Sequence, residues 1–234
     1  MTQTLKIDNQ SQLEWLGTAG SLLFDHDYLF ITKKGGEPFI EIQKSMLELN
    51  DFCVMLIKSV KSTAIDEQKN YNELLSLAFE EGMHTDEGWD KHQSLSMLAY
   101  SCEDFGRIFA PASAVLMLYG TLIRSLHSIA MYYGEQKCKQ YDSIKERAGA
   151  ELPPLRELLE SICGRKIDVF DHPQVNALIT NQARYLRNKF IHGEWNVVEK
   201  ALVGVNIRNC FIAVSFIFSE LELFFDEPKG IKLA

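Results

Sequence analysis

The stretch PASAVLMLYGTLIRSLHSIAMYYG, residues 111–134, decides the fold class of this chain. Apolar residues recur in it every three to four positions, which is the spacing of an α-helix. Pro111 suits the first turn of such a helix, and Gly134 marks its end. The predicted helix is apolar enough to lie at the centre of a helical bundle.

The residues before this stretch also predict helices. Apolar residues recur at helical spacing from Phe39 to about Lys61, and residues 71–79 support a second helix. The polar stretch 80–88 predicts a loop, after which residues 89–109 resume the helical spacing. The N-terminal part is therefore expected to be mainly helical.

Further helices are predicted after the central one. Pro153 and Gly164 mark the start and stop of a helix, and Asp171 is a good N-cap for the next. Residues 198–206 fit either an extended or a helical conformation. Residues 207–225 form a final, strongly apolar helix.

These patterns predict an all-α chain. Residues 1–100 form an N-terminal helical extension, 101–226 a helical bundle and 227–234 a tail. A short β-hairpin at 27–43 is one possibility, with YLFIT and PFIEI as its strands. Alternatively, the second piece opens a helix with Pro38 in its first turn.

The composition favours a cytosolic globular protein. Hydrophobic residues make up 46% of the 234 residues, yet no run approaches the ~20 apolar residues of a membrane span, and the N-terminus lacks a signal-peptide pattern. The five cysteines contain no CxxC pair, as expected for reduced thiols in a core. A net charge of −8 argues against broad, non-specific binding of nucleic acid.

Neither a metal nor a cofactor is expected. The six histidines lack an HExxH or another paired ligand spacing. The acidic and histidine residues between His84 and His92 lie in a predicted polar loop, where a solvated surface is the simpler interpretation.

The most distinctive segment is QARYLRNKFIHGEW, residues 182–195, within an amphipathic helix predicted from 175 to 192. One face is apolar. The other combines arginine, asparagine and histidine without a carboxylate, and its members are Thr180, Asn181, Arg184, Arg187, Asn188 and His192. A solvated face normally mixes acids and bases, so this one is expected to bind an anion, with Lys189 adding to the basic patch.

The pairing of Arg187 with His192 suggests chemistry on phosphate. A guanidinium binds a phosphodiester through two parallel hydrogen bonds, and an imidazole transfers protons near neutral pH. On an ideal helix these residues lie ~140° apart. A joint site therefore needs bent side chains, a distorted helix or a second chain. Gly193 is the predicted residue after the C-cap, which places His192 in the last turn.

The segment RNKFIHG resembles the motif of the HEPN superfamily (higher eukaryotes and prokaryotes nucleotide-binding domain). That motif is an arginine, four to six residues and a histidine, frequently with asparagine after the arginine. Arg187, Asn188 and His192 match it position by position, and the similarity covers residues 101–226.

The resemblance implies a HEPN-like helical bundle that forms a homodimer with its motifs facing across the seam. Many members are metal-independent endoribonucleases that leave a cyclic phosphate, and serve as toxins paired with antitoxins or in phage defence. His192 would be the general acid or base, Arg187 would hold the scissile phosphate of RNA, and Asn188 would orient substrate or the motif. Arg184 and Lys189 are added from the helix pattern as substrate-binding residues.

Alternatives remain open. AMP-modified members commonly carry a tyrosine two residues after the histidine, and Glu194 at that position argues against control by that route. A non-catalytic HEPN module would use the same face to bind a nucleotide, RNA or a protein partner. A helical scaffold would merely contact another subunit there. Arg124 and His127 could line the cleft, although a core histidine is the simpler interpretation.

Overall fold

The computed structural model describes residues 27–81, 108–136, 151–203 and 205–226. These residues form helices joined by turns and irregular segments, and no strand occurs among them. The all-α class is therefore confirmed. Predictions for other residues, including the helix at 89–109, the His84–His92 loop and the C-terminal tail, lie outside the described residues.

Six α-helices of eight residues or more give the described part its architecture. They are α1 (Phe39–Glu81), α2 (Ala110–Gln136), α3 (Leu152–Cys163), α4 (Arg184–Ile191), α5 (Trp195–Leu202) and α6 (Ile207–Asp226). Between α3 and α4 lie three short elements. They are a 3₁₀ turn (Asp168–Asp171), an α-helical turn (Pro173–Val175) and a π-helical segment (Asn176–Ala183).

The central position predicted for the 111–134 helix is confirmed. α2 packs against α1, α3, α4 and α6. Its inward side is fully buried, through Leu118, Leu122, Leu126 and Ile129. A strip that includes Gly120, Arg124 and Ser128 stays exposed.

By length and composition alone, residues 110–134 of α2 meet the criteria for a membrane span, with a mean hydropathy of 1.3. We expected no stretch of the chain to do so. Helices α5 and α6 also pass as one span, although they are bent by 78°. Buried core helices of soluble proteins meet the same criteria, and 56% of the α2 window is buried inside the structure.

The first described helix differs from the prediction. α1 runs unbroken for 43 residues, so the expected separation of a 39–61 helix from a 71–79 helix is wrong. The hairpin at 27–43 is also absent from these residues, because 27–38 is irregular and PFIEI opens α1. Pro38 immediately precedes α1, and its carbonyl accepts a hydrogen bond from the Ile42 N–H at 3.1 Å.

The end of α3 follows the prediction, because Gly164 caps it at a φ of 73°. The role predicted for Asp171 is wrong. His172 occupies the N-cap position, and the Asp171 carboxylate instead pairs with cations on both sides. Residues 195–202, which overlap the ambiguous stretch, are helical, and α6 forms as expected.

The helix that carries the motif is not a uniform α-helix. Residues 176–183 are π-helical, with i→i+5 hydrogen bonds in place of i→i+4. A projection at ~100° per residue therefore holds for α4 but not across the whole of 175–192. The apolar side is nevertheless buried as predicted, at Val175, Ile179, Ala183 and Leu186.

A buried carboxylate on α6 fixes the segment before α1. Glu222, 1% exposed, accepts hydrogen bonds from the Thr32 hydroxyl and from the backbone N–H groups of Lys33 and Lys34, the latter two at 3.0 and 3.2 Å. The Phe30 ring packs nearby, 5.8 Å from the ring of Phe218. The segment is thus held by both polar and apolar contacts.

We expect Glu222→Ala to lower the free energy of unfolding by about 2 kcal/mol, because it leaves the Thr32 hydroxyl and the Lys33 and Lys34 N–H groups without their acceptor. Urea unfolding followed by circular dichroism measures this loss. Glu157→Ala, on the exposed side of α3, is the matched control and should change stability by less than about 0.5 kcal/mol. Equal effects of the two variants would contradict the anchoring role of Glu222.

An ion-pair network joins α3 to the start of the motif region. Both oxygens of Asp171 accept hydrogen bonds from Arg156, at 2.6 and 2.8 Å, and Lys166 lies 2.5 Å away. Arg156 also contacts Glu160 at 2.9 Å. These hydrogen bonds, first from Arg156 and then from Lys166, hold the pKa of Asp171 well below its usual range.

A lowered folded-state pKa means that the unfolded chain takes up the proton first as the pH falls. The network's contribution is therefore present above the ordinary aspartate pKa of about 4, and is lost as the pH falls toward the folded value. We expect Asp171→Asn to lower the melting temperature at pH 7 and to converge with the wild type on acidification. Asp168→Asn, at a more exposed carboxylate, should have a smaller effect.

Candidate functional site

The end of α4 sets the position of His192. The Gly193 N–H donates to the Phe190 carbonyl at 3.0 Å, and the Glu194 N–H donates to the Lys189 carbonyl at 3.0 Å. Gly193 has a φ of 70°. These bonds form a Schellman motif, which confirms Gly193 as the residue after the C-cap and His192 as the C-cap.

Aromatic packing holds this turn against α2. The Trp195 ring lies 4.9 Å from the Phe109 ring and 5.2 Å from the Phe190 ring, measured between centroids. Phe109 immediately precedes α2, whereas Phe190 and Trp195 flank the turn. The three rings therefore fix the C-terminal end of α4 relative to the first turn of α2.

A groove of about 560 Å³ lies between α2 and α4. α2 contributes one face, with residues at helical spacing, and α4 contributes two residues one turn apart. The lining consists of Leu116, Tyr119, Gly120, Ile123, Arg124, His127, Arg187 and Ile191. The groove is thus mainly apolar, with cationic and imidazole groups among its walls.

Gly120 makes room for the groove. A Cβ built at this position meets no atom within 4 Å, and the residue is exposed. Its neighbours one turn away, Leu116 and Ile123, supply apolar surface. The backbone of α2 is therefore approachable from the groove.

Arg187 is the motif residue that lies in the groove. It is half-buried, and its Nη1 donates a hydrogen bond to Asn188 Oδ1 at 3.1 Å. Within the described ranges, no carboxylate forms an ion pair with Arg187 or with Arg124. Both guanidinium groups therefore leave donors for an anion.

The other two predicted basic residues are paired with acids. Arg184 Nη2 lies 2.6 Å from Glu151 Oε2, at the N-terminal end of α3. Lys189 Nζ lies 2.8 Å from Glu194 Oε2, just beyond the Schellman motif. The polar face of the helix carries no acid of its own, but acids from adjacent segments neutralise part of it.

His192 is exposed and lies outside the groove lining. Within one chain, the structure therefore does not join its imidazole to Arg187 in a single site. This matches the angular separation of ~140° expected on a regular helix. Asn188 lies beside Arg187 and orients its guanidinium.

Tyr119 lies at the buried side of the groove, near two arginines. Burial raises the pKa of its hydroxyl above the ordinary value of 10.0, while the charges of Arg184 and Arg187 act in the opposite direction. The hydroxyl is consequently protonated at neutral pH. This hydroxyl is hydrogen-bonded to the backbone of Leu152, the first residue of α3.

Arg124 and His127 join the candidate site, although the sequence favoured a core position for the histidine. His127 is half-buried and lines the groove, and Arg124 is exposed. Arg124 and His127 follow Gly120 by four and seven residues, and this spacing places all three on one face of α2. The sequence therefore contained a signal that they lie together. The packing partner of that face was not evident from the pattern.

Among the residues that the structure describes, no group of three or more histidine, cysteine, aspartate or glutamate side chains could hold a metal ion. Cys53 and Cys210 are buried, and burial raises the pKa of each thiol to about 12. Neither is suited to act as a nucleophile near neutral pH.

Comparison with protein-family models, with curated proteins and with solved structures finds no match.

Two glycine variants test whether the groove is open at Gly120. We expect Gly120→Ala to raise the free energy of unfolding by about 0.5–1 kcal/mol, because alanine favours a helix interior and its Cβ meets no neighbour. Gly164→Ala should lower it by about 1 kcal/mol, because a φ of 73° disfavours a side chain. Thermal unfolding of both variants gives the comparison, and destabilisation by Gly120→Ala would show that the position is filled.

Proposed function

We propose that this chain is a metal-independent endoribonuclease of the HEPN type, with a toxin or defence role in the cytosol. The observation that carries the proposal is the environment of the Arg187 side chain. It lies in a groove with Arg124 and His127, is oriented by Asn188, and has no carboxylate partner among the described residues. An anion-binding arginine within the RNKFIH motif is what phosphate chemistry requires.

The proposed reaction uses the 2′-hydroxyl of RNA as an internal nucleophile. Its oxygen attacks the adjacent phosphorus while a base removes its proton, and the bond to the 5′-oxygen breaks as an acid protonates that oxygen. The products are a 2′,3′-cyclic phosphate and a 5′-hydroxyl. Arg187 stabilises the charge that develops on the phosphoryl oxygens, and His192 transfers protons.

The position of His192 supports a site shared between two copies of the chain. Its exposed imidazole lies at the end of α4, outside the groove of its own chain. In a homodimer with facing motifs, His192 of one protomer can approach the Arg187 of its partner, and the two histidines can divide the acid and base roles. A separate antitoxin protein is the partner that a toxin role implies.

A second candidate is a non-catalytic HEPN module that binds a nucleotide, RNA or a protein partner. The mainly apolar lining of the groove favours it, because such a surface suits binding more directly than proton transfer. In this case Arg187 would determine affinity, and His192 would be dispensable.

The decisive measurement is cleavage of total RNA by the purified protein in the presence of EDTA. We expect His192→Ala to reduce the rate by about 100-fold or more, as for loss of an acid–base group. Arg187→Ala should reduce it comparably, because the developing charge loses its stabiliser. The cleaved strands should end in a cyclic phosphate.

Lys200→Ala, at an exposed cation on α5, is the matched control and should leave the rate unchanged. Equal cleavage by wild type and His192→Ala would attribute the activity to a contaminant and contradict the proposal. RNA binding without cleavage, lost in Arg187→Ala but retained in His192→Ala, would instead establish the non-catalytic module. If neither the wild type nor any variant binds RNA, the result would favour a role as a helical scaffold.

A further inference from the structure

We infer that the α2/α4 groove accommodates one unpaired nucleotide of a single-stranded RNA. The base lies against the apolar wall of α2, and a neighbouring phosphate lies at Arg124 and Arg187. This inference rests on the proposed function and deepens it, because it identifies a specificity-determining site on α2, outside the RNKFIH segment.

The size of the groove fits a small ligand group. Its volume of about 560 Å³ lies within the range of roughly 300–1,000 Å³ typical of small-molecule sites. The rim is accessible, since Gly120 and Arg124 are exposed and Ile191 is 57% exposed. A nucleotide can therefore enter from solvent while it remains part of a longer strand.

The apolar wall fits a planar base. Leu116, Ile123 and Ile191 supply aliphatic surface, and the missing side chain at Gly120 lets a flat ring approach the α2 backbone. The half-buried imidazole of His127 lies in the same lining, whereas Tyr119 is only 4% exposed and offers little ring surface. Stacking on such rings is the common means by which proteins hold unpaired bases.

The charges of the groove fit the backbone of a nucleic acid. Arg124 and Arg187 come from different helices and line the same groove, and the described part of the chain supplies neither with a carboxylate. The chain has a net charge of −8, so this pair concentrates positive charge within an acidic protein. Such a site binds a phosphate locally and does not attract nucleic acid along its whole surface.

A double helix does not fit this arrangement. Its bases are paired and stacked inside, and its phosphates alone would reach Arg124 and Arg187. The apolar wall would then remain unused. The groove therefore favours single-stranded RNA over duplex RNA.

The test uses a short, labelled 2′-O-methyl oligonucleotide, which lacks the nucleophilic hydroxyl and so reports binding without cleavage. Fluorescence anisotropy gives its affinity for wild type, Gly120→Phe and Ser161→Phe. Gly120→Phe fills the groove, whereas Ser161→Phe places the same ring on the exposed side of α3. We expect about a ten-fold or greater loss of affinity for Gly120→Phe and no change for the control.

Two further probes examine the base and the phosphate separately. An oligonucleotide with abasic positions should bind wild type as weakly as the normal strand binds Gly120→Phe. Arg124→Ala should reduce the slope of log affinity against log salt by about one. Circular dichroism melting shows whether each variant is folded, and Gly120→Leu serves as a second, smaller substitution that still occupies the groove if Gly120→Phe does not fold.

Unchanged affinity in folded Gly120→Phe, or equal binding of single-stranded and duplex RNA, would overturn the inference. Displacement of the oligonucleotide by a fatty carboxylate such as dodecanoate, with no sensitivity to abasic positions, would assign the groove to an aliphatic anion and also overturn it. The two proposals can fail separately. Cleavage that depends on His192 but not on Gly120 would contradict only the nucleotide site in the groove. Binding that depends on Gly120, without cleavage, would contradict only the nuclease function.

Discussion

The burial of α2 is the constraint on which the rest of the described structure depends. Helices α1, α3, α4, α5 and α6 all pack against it, and the side chains on its inward side are removed from water together. Burial of this much apolar surface is the main favourable term in folding, so the neighbours of α2 have little freedom to shift. The strip through Gly120 and Arg124 is left uncovered, and α4 lies beside it. The groove between α2 and α4 therefore results from the way the helices pack around α2.

The sequence predicts those features that depend on local geometry. Gly164 and Gly193 end their helices because a positive φ is needed there, and that need is visible in the residue type itself. The pairing of Arg184 with Glu151 was not predictable, because the two residues are 33 positions apart and meet only because α3 and α4 both pack on α2. The sequence does not predict the continuity of α1, because the polar stretch at 62–70 holds too few apolar residues to show a helical repeat.

The electrostatics of the motif likewise combine local and long-range terms. The two arginines and the histidine of the polar face, with Lys189 nearby, suggest a broad anion site, but Glu151 pairs with Arg184 and Glu194 pairs with Lys189. Arg187 keeps its donors available because its contact within the motif is with the neutral amide of Asn188. The result is a narrow positive site on an acidic chain, which suits one phosphate better than an extended backbone.

The π-helical segment 176–183 has a mechanical consequence for the helix that follows it. A π-turn holds one residue more per hydrogen-bonded ring than an α-turn, so the segment changes the direction in which later side chains point while the helix axis continues. Its N-terminal end is fixed by the fully buried Val175. A single inserted or deleted residue within the segment would therefore rotate Arg187 relative to α2, and it would rotate the buried Leu186 out of the core at the same time.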